Sequence, residues 1–201
     1  MNATTKKRRL RVLPDIDPIN PRTEYDNFCH MALFHGRYDL GDKDIPFNPS
    51  QFSGWLEMGR YIEKELDAIC LPVFMYDHSG ICLNTTGFSC PWDSRQVGFV
   101  YVTRKEIKEE NDISRVSPKA RENAIASMKA EVQGYSSYLE GDCYGYVVEE
   151  LAEDGDETDS GDWEEVDSCW GFLGREWAKQ AFEDLGFTKE EVQEAFSRVE
   201  Y

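Results

Sequence analysis

The residues that could do catalytic chemistry concentrate between positions 77 and 94. Asp77, His78 and Ser79 have, in consecutive positions, the residue types of a hydrolase triad. Neighbouring side chains in a strand point to opposite faces, and a working triad needs its groups within about 3 Å of each other. The run Asp-x-Ser-Gly is also typical of turns. The spacing therefore favours a turn, with His78 as a lone general base or ligand as the alternative.

Cys90 lies in the most distinctive local run of the chain, FSCPWDS at 88–94. A nucleophilic cysteine needs a histidine or a helix N-terminus that stabilises its thiolate, and no adjacent residue provides either. We favour a loop that is fixed by Pro91 and anchored by two aromatic residues. The alternative is a small hydrolase or metal-assisted enzyme that uses Asp77, His78 and Cys90, with His30 or His35 brought close by folding.

The metal-ligand types near the start of the chain are Cys29, His30 and His35. Zinc sites take pairs of such residues, and a second pair is missing here unless Cys82 or Cys90 converges on the first. The acidic run 154–162 lacks the glycine and glutamate spacing of a calcium loop. We predict no metal and no cofactor.

Six cysteines occur in the chain, and none forms a Cys-x-x-Cys pair. Several lie in apolar runs, and a chain of this length does not need disulfides for stability. We predict reduced, mostly buried thiols, with disulfides as the alternative because the number of cysteines is even.

Charge is the strongest feature of the composition. The net charge is −17, although five basic residues lie between Lys6 and Arg11, so the rest of the chain carries about −22 (−17 minus 5). Such a field repels phosphates over a Debye length of about 8–10 Å. The sequence therefore argues against direct nucleic-acid binding by the body of the protein and favours a basic protein surface as partner.

The acidic residues peak between Glu149 and Asp167, with eleven Asp or Glu in nineteen residues and no Lys or Arg. Such a block is usually a solvated, mobile loop. The residues that we predict to bind a partner are Glu149, Glu150, Glu153, Asp154, Asp156, Glu157, Asp159, Asp162, Glu164 and Glu165.

The hydrophobic pattern predicts the elements that must position these residues. Helices are expected at 49–67 and 118–139, each with a cap residue followed by proline. Strands are expected at 70–76, 81–85, 97–103, 143–149 and 166–172. A C-terminal helical pair is expected at 175–198, its second helix started by a capping box of Thr188 and Glu191.

This order predicts an α+β fold with a largely antiparallel sheet of about five strands and helices packed on one face. We expect a basic, proline-containing, irregular arm at 1–24. The single domain would then be 25–201, with an acidic loop at 149–167. No run of eighteen apolar residues or secretory leader is present, so we expect no membrane span and a cytoplasmic protein.

Several motifs resemble a family of uncharacterised proteins of phages, prophages and other mobile elements. They are DHSG at 77–80, FSCPWDS at 88–94, VGFVYV at 97–102 and DSCWGF at 167–172, with Asn20-Pro21-Arg22 before them. The similarity covers roughly residues 18–175. It implies a mobile-element context and carries no catalytic residue with it.

Together, the charge and the resemblance suggest an inhibitor of a host nucleic-acid-directed defence enzyme, of restriction or CRISPR type. It would present carboxylates in place of a phosphate backbone, and it is more an interaction protein than an enzyme. Two alternatives stay open, the small enzyme described above and a structural phage protein. The competing explanation of the acidity is that it only keeps the protein soluble. The sequence does not indicate an oligomeric state.

Overall fold

A computed structural model describes residues 6–78, 80–90, 92–158 and 160–199. The strands are β1 (Arg8–Pro14), β2 (His30–Leu33), β3 (Ala68–Asp77), β4 (Ile81–Asn84), β5 (Ser94–Thr103), β6 (Cys143–Leu151) and β7 (Trp163–Leu173). The α-helices are α1 (Pro21–Glu24), α2 (Trp55–Lys64), α3 (Arg104–Glu110), α4 (Pro118–Glu140), α5 (Arg175–Asp184) and α6 (Lys189–Ser197). Short 3-10 helices lie at Pro49–Gln51 and Ser160–Asp162.

The chain divides into two compact units. Unit 1 consists of Met1–Ile19 and Gly141–Tyr201, and unit 2 is the intervening segment Asn20–Glu140. The sequence analysis instead expects one domain over 25–201.

Unit 2 is built on an antiparallel sheet in the order β2-β5-β3-β4. Side chains of β5 alternate between its two faces, as the period of two in a strand requires. Val100 and Val102 belong to the core that includes α4, whereas Phe99 and Tyr101 belong to the core that includes α2. Both faces of this sheet are therefore covered.

Unit 1 is built on an antiparallel sheet in the order β1-β6-β7. Tyr144, Tyr146 and Val148 of β6 share a core with α5 and α6, which contribute Phe182 and Phe196. The capping box of Thr188 and Glu191 begins α6 as predicted. The α+β class and the antiparallel pairing are confirmed, but the strands form sheets of three and four strands instead of one of about five.

The predicted irregular arm is wrong over its central part. Residues 8–14 form β1, which pairs along its whole length with β6. Leu10 and Val12 are buried and alternate with Arg9 and Arg11, a period of two that the nearby prolines and charges obscure.

The predicted acidic loop at 149–167 is also wrong at both ends. Strand β6 continues to Leu151 and β7 begins at Trp163, so residues 152–162 connect the two strands of a hairpin. In the described parts of the chain, no helix is long and apolar enough to cross a membrane.

Candidate functional site

The alternative catalytic set, Asp77, His78 and Cys90, does not assemble as a relay. The Tyr38 hydroxyl donates to both carboxylate oxygens of Asp77 at 3.3 Å. His78 Nδ1 and Cys90 Sγ both lie near Asp93 Oδ2, at 3.8 Å and 3.5 Å. Ser79, the third member of the predicted turn, lies outside the described residues.

Asp93 therefore lies beside Cys90 where cysteine catalysis would need a histidine or another cation that stabilises a thiolate. The His78 side chain is 65% exposed, so its 3.8 Å approach to Asp93 is a weak, solvated contact. Among the described residues of this region, Asp77, His78 and Cys90 form no nucleophile–base pair.

The proposed metal ligands near the start of the chain have separate partners. Cys29 Sγ donates to Glu131 Oε2 at 2.9 Å, and burial raises the pKa of this thiol strongly. His30 Nε2 lies 2.8 Å from Glu106 Oε1, and the His35 ring stacks on Tyr38 with centroids 4.9 Å apart. Among the described residues, no group of three His, Cys, Asp or Glu side chains could hold a metal ion.

All six cysteines are free thiols, but the prediction that they are mostly buried is wrong, since only Cys29 and Cys143 are buried. Burial raises the pKa of Cys143 to about 11 and that of Cys70 to about 12. Cys169, in contrast, is exposed on β7.

Arg22 holds together a buried polar cluster that the sequence analysis did not identify. Its guanidinium donates to Asp42 at 2.8 and 2.9 Å, to Glu131 at 2.7 Å, to Asn27 at 2.8 Å and to the Cys29 carbonyl at 2.6 Å. Every one of these contacts lies within unit 2. Because its donors are used internally, the cluster fixes the 20–42 segment and offers no group to a ligand. No local pattern in the sequence marks Arg22 as buried, because its partners lie up to 109 positions away.

A hollow in unit 2 has a volume of about 730 Å³ and is lined by residues between Leu33 and Pro49. Two of its charged side chains, Asp39 and Lys43, pair with each other at 3.5 Å and are mostly exposed. The described residues that line it include no serine, threonine or cysteine.

The predicted partner-binding carboxylates separate into two classes. Glu149 is 7% exposed and is bound by Arg9 and Arg11 across the sheet. Glu157 pairs with Lys7, and Asp162 accepts from the Asp156 backbone amide at 2.7 Å. Glu149 is thus held inside unit 1, whereas the Glu157–Lys7 pair lies at the surface with both side chains about half exposed.

The pKa of Glu149 reflects its pairing with two arginines of the same unit. Burial raises its pKa, but the hydrogen bonds and charges of Arg9 and Arg11 outweigh burial, so the net pKa is lowered. The N-terminal basic segment thus neutralises the acidic strand β6 of its own unit.

The second class is exposed. Glu153 and Asp154 lie in the turn after β6, and Glu164 and Glu165 lie on β7. Asp156 is also exposed, but its carboxylate accepts bonds from Thr158. Glu150 is half-buried opposite Arg8 in the β1–β6 register, and Asp159 lies outside the described residues.

Counted over the sequence, the acidity belongs mainly to unit 1. It has 9 Lys and Arg against 21 Asp and Glu, a net charge of −12 in 80 residues. Unit 2 has 13 against 18, a net charge of −5 in 121 residues. No protein-family model, curated protein or solved structure matches the chain.

Proposed function

We propose that unit 1 is a protein-binding module whose exposed carboxylates occupy the basic, nucleic-acid-binding surface of another protein. The single observation that carries this proposal is the concentration of exposed, unneutralised carboxylates on β7 and the turn before it. Following the family resemblance, the partner would be a host defence enzyme of restriction or CRISPR type, and the protein its inhibitor.

The carboxylates of β7 lie on both faces of the strand. Glu164 and Asp167 stand opposite the even-numbered Glu150 and Val148 of β6, whereas Glu165 stands opposite Glu149 and so projects from the other face. Glu164 and Asp167 are three residues apart, about 10 Å along the strand, a length over which one strand of duplex DNA carries about three phosphates. A basic, phosphate-binding surface therefore meets two carboxylates on one face of β7 or one on the other.

The exposed carboxylates also keep their charge available. Arg9 and Arg11 are committed to Glu149, and Lys7 is committed to Glu157. Solubility alone would be served by acidic residues spread over both units, whereas the net charge differs between −12 and −5.

Immobilised protein and a bacterial lysate test the proposal. We expect the protein to retain a nucleic-acid-binding protein, which added duplex DNA or rising salt displaces. The test variant carries E153Q, D154N, E164Q and E165Q. The matched control carries E24Q, E63Q, E65Q and E110Q, the same change of charge at exposed positions of unit 2.

Only the unit 1 variant should lose the retained protein. Equal retention by the two variants, or retention that duplex DNA does not reduce, would contradict the proposal.

A further inference from the structure

The outer edge of β7 is an open hydrogen-bonding edge. Strand β7 pairs with β6 on one side, and no other described strand pairs with its second side. Along β6, the backbone N–H and C=O groups of successive residues point alternately to β1 and to β7. The Leu151 amide donates to the Lys7 carbonyl, and the Asp15 amide donates to the Cys143 carbonyl. The backbone groups of the odd-numbered residues of β6 therefore point to β1, and those of the even-numbered residues point to β7.

This alternation decides which backbone groups of β7 are free. Val148 and Tyr146 lie opposite Asp167 and Cys169, so the amides and carbonyls of those two residues point to β6. The backbone groups of Glu165 and Ser168 then point away from the sheet. They are what a further strand would bind.

Side chains along this edge are unusually accessible. Seven consecutive residues, 164–170, are exposed, including Val166 at 49% and Trp170 at 48%. Register shifts in the β6–β7 ladder leave Val166 without an opposite residue, which turns it outward beside the carboxylates. The edge thus combines free backbone groups, two apolar side chains and three carboxylates.

The charge of β7 indicates which kind of strand can pair with its open edge. A second copy of the chain would bring Glu164, Glu165 and Asp167 against the same three residues, and like charges on adjacent strands repel. A strand with alternating Lys or Arg would instead place cations opposite Glu165, with β-branched residues beside Val166 and Trp170. Charged edge residues also guard against aggregation, but that protection fails against a strand of opposite charge.

We propose that an extended, basic segment of the partner protein adds to β7 as a fourth strand of the unit 1 sheet. This inference rests on the proposed function and names the way in which the partner binds. Backbone hydrogen bonds to Glu165 and Ser168 hold the segment in register, and its cations meet the carboxylates of β7.

Two peptides of equal charge test strand addition. One alternates Lys and Val over eight residues. The other alternates Lys and Pro, so half of its residues lack an amide donor and each proline holds φ near about −65°, away from the roughly −140° of an antiparallel strand. Isothermal titration with the full chain should show Lys-Val binding at least about tenfold tighter than Lys-Pro, because the prolines oppose the extended pairing with β7. Equal affinities would overturn strand addition.

A variant of the protein gives the matched test. S168P removes an outward amide and leaves the bonds to β6 in place, whereas S168A keeps that amide. We expect S168P to weaken Lys-Val binding about tenfold and S168A to leave it unchanged. Binding of Lys-Val to a folded S168P variant with the affinity of the unsubstituted protein would overturn the proposal.

Hydrogen exchange of the unsubstituted protein keeps the test decisive if S168P does not fold. The Ser168 amide should become protected on addition of Lys-Val, while the Cys169 amide, already bonded to β6, should not change. An unprotected Ser168 amide at saturation contradicts the proposal. Sedimentation gives the last outcome, since a dimer that S168P dissociates would make a second copy the occupant.

These results are separable from the test of function. If peptides of both kinds bind equally while the lysate protein is still retained and displaced by DNA, strand addition fails and the proposed function stands.

Discussion

The two units use their charged residues in opposite ways. In unit 2, Arg22 is almost fully buried and satisfies Asp42 and Glu131 at once, and the sheet is covered on both faces. In unit 1, the N-terminal basic residues Lys7 and Arg9 pair with Glu157 and Glu149, while β7 keeps its own carboxylates exposed at an open edge. The acidic residues of the chain are therefore not distributed uniformly over its surface. Unit 2 contains a buried, fully paired polar cluster, whereas unit 1 exposes carboxylates along an open strand edge.

The largest effect that would test this contrast is expected at Arg22. R22M leaves Asp42 and Glu131 near the protein interior without their cation, which costs about 3–5 kcal/mol of the free energy of unfolding. R9M in unit 1 leaves Glu149 with Arg11, so a loss of about 1 kcal/mol is expected. Urea denaturation followed by circular dichroism measures both.

The control for these variants is R60M, at an exposed position with little expected effect. If R22M and R60M had the same stability, the buried cluster would not support unit 2 and the contrast would break.

A second comparison uses the same substitution in both sheets. A Cβ at Gly98 would lie 1.9 Å from the Ala32 backbone carbonyl, so the strands β2 and β5 must separate. A Cβ at Gly145 would lie 2.1 Å from the Trp170 ring, a side chain that is about half exposed and can turn away. We expect G98A to destabilise by about 3 kcal/mol or more and G145A by about 1 kcal/mol.

Thermal unfolding measures this difference, and Trp170 accessibility to acrylamide reports the expected movement in G145A. If G98A and G145A lost the same stability, the Trp170 side chain would be held as firmly as the backbone of β2. The β7 strand would then be more rigid than the exposure of its residues indicates.

The sequence predicted features that depend on neighbouring residues better than features that depend on residues far apart in the chain. Local signals succeeded: the Thr188–Glu191 capping box begins α6, and the strand–turn–strand pattern around 77–80 gives β3 and β4. Asn48 is an N-cap as its sequence pattern indicates, but the helix that it begins is a single 3-10 turn, and α2 starts only at Trp55. The Thr103–Glu106 box that begins α3 was overlooked.

Signals that depend on distant residues failed. The acidic block was predicted to be a loop because no cation lies near it in the sequence, but Arg9 neutralises Glu149 from 140 positions away. The Arg22 cluster joins residues up to 109 positions apart, so no local pattern marks that arginine as buried. The ten candidate carboxylates could be named from composition, but their division into paired and exposed ones needed the register of β1, β6 and β7.

The smallest expected effect is the pH dependence of each unit. Because the pKa of Glu149 is lowered in the folded state, the stability that it contributes is present above its unfolded pKa of about 4.3. That stability is lost as the pH falls through the folded value. His35 in unit 2 also has a lowered pKa, through burial and then Arg95. The unfolded state therefore binds its proton first, and stability falls as the pH drops below about 6.5.

The two groups thus mark two pH windows, one for each unit. E149Q should flatten the stability profile below about pH 4.3 by up to about 1 kcal/mol, and H35Q should flatten it just below pH 6.5 by less. Urea denaturation at pH 7.5, 5.5 and 3.5 separates the windows. If E149Q left the profile unchanged at pH 3.5, the Arg9 and Arg11 pairing would not stabilise unit 1, and these arginines would be free to neutralise the carboxylates of β7 instead. The exposed acidity on which the contrast between the units depends would then be smaller than the positions of the side chains indicate.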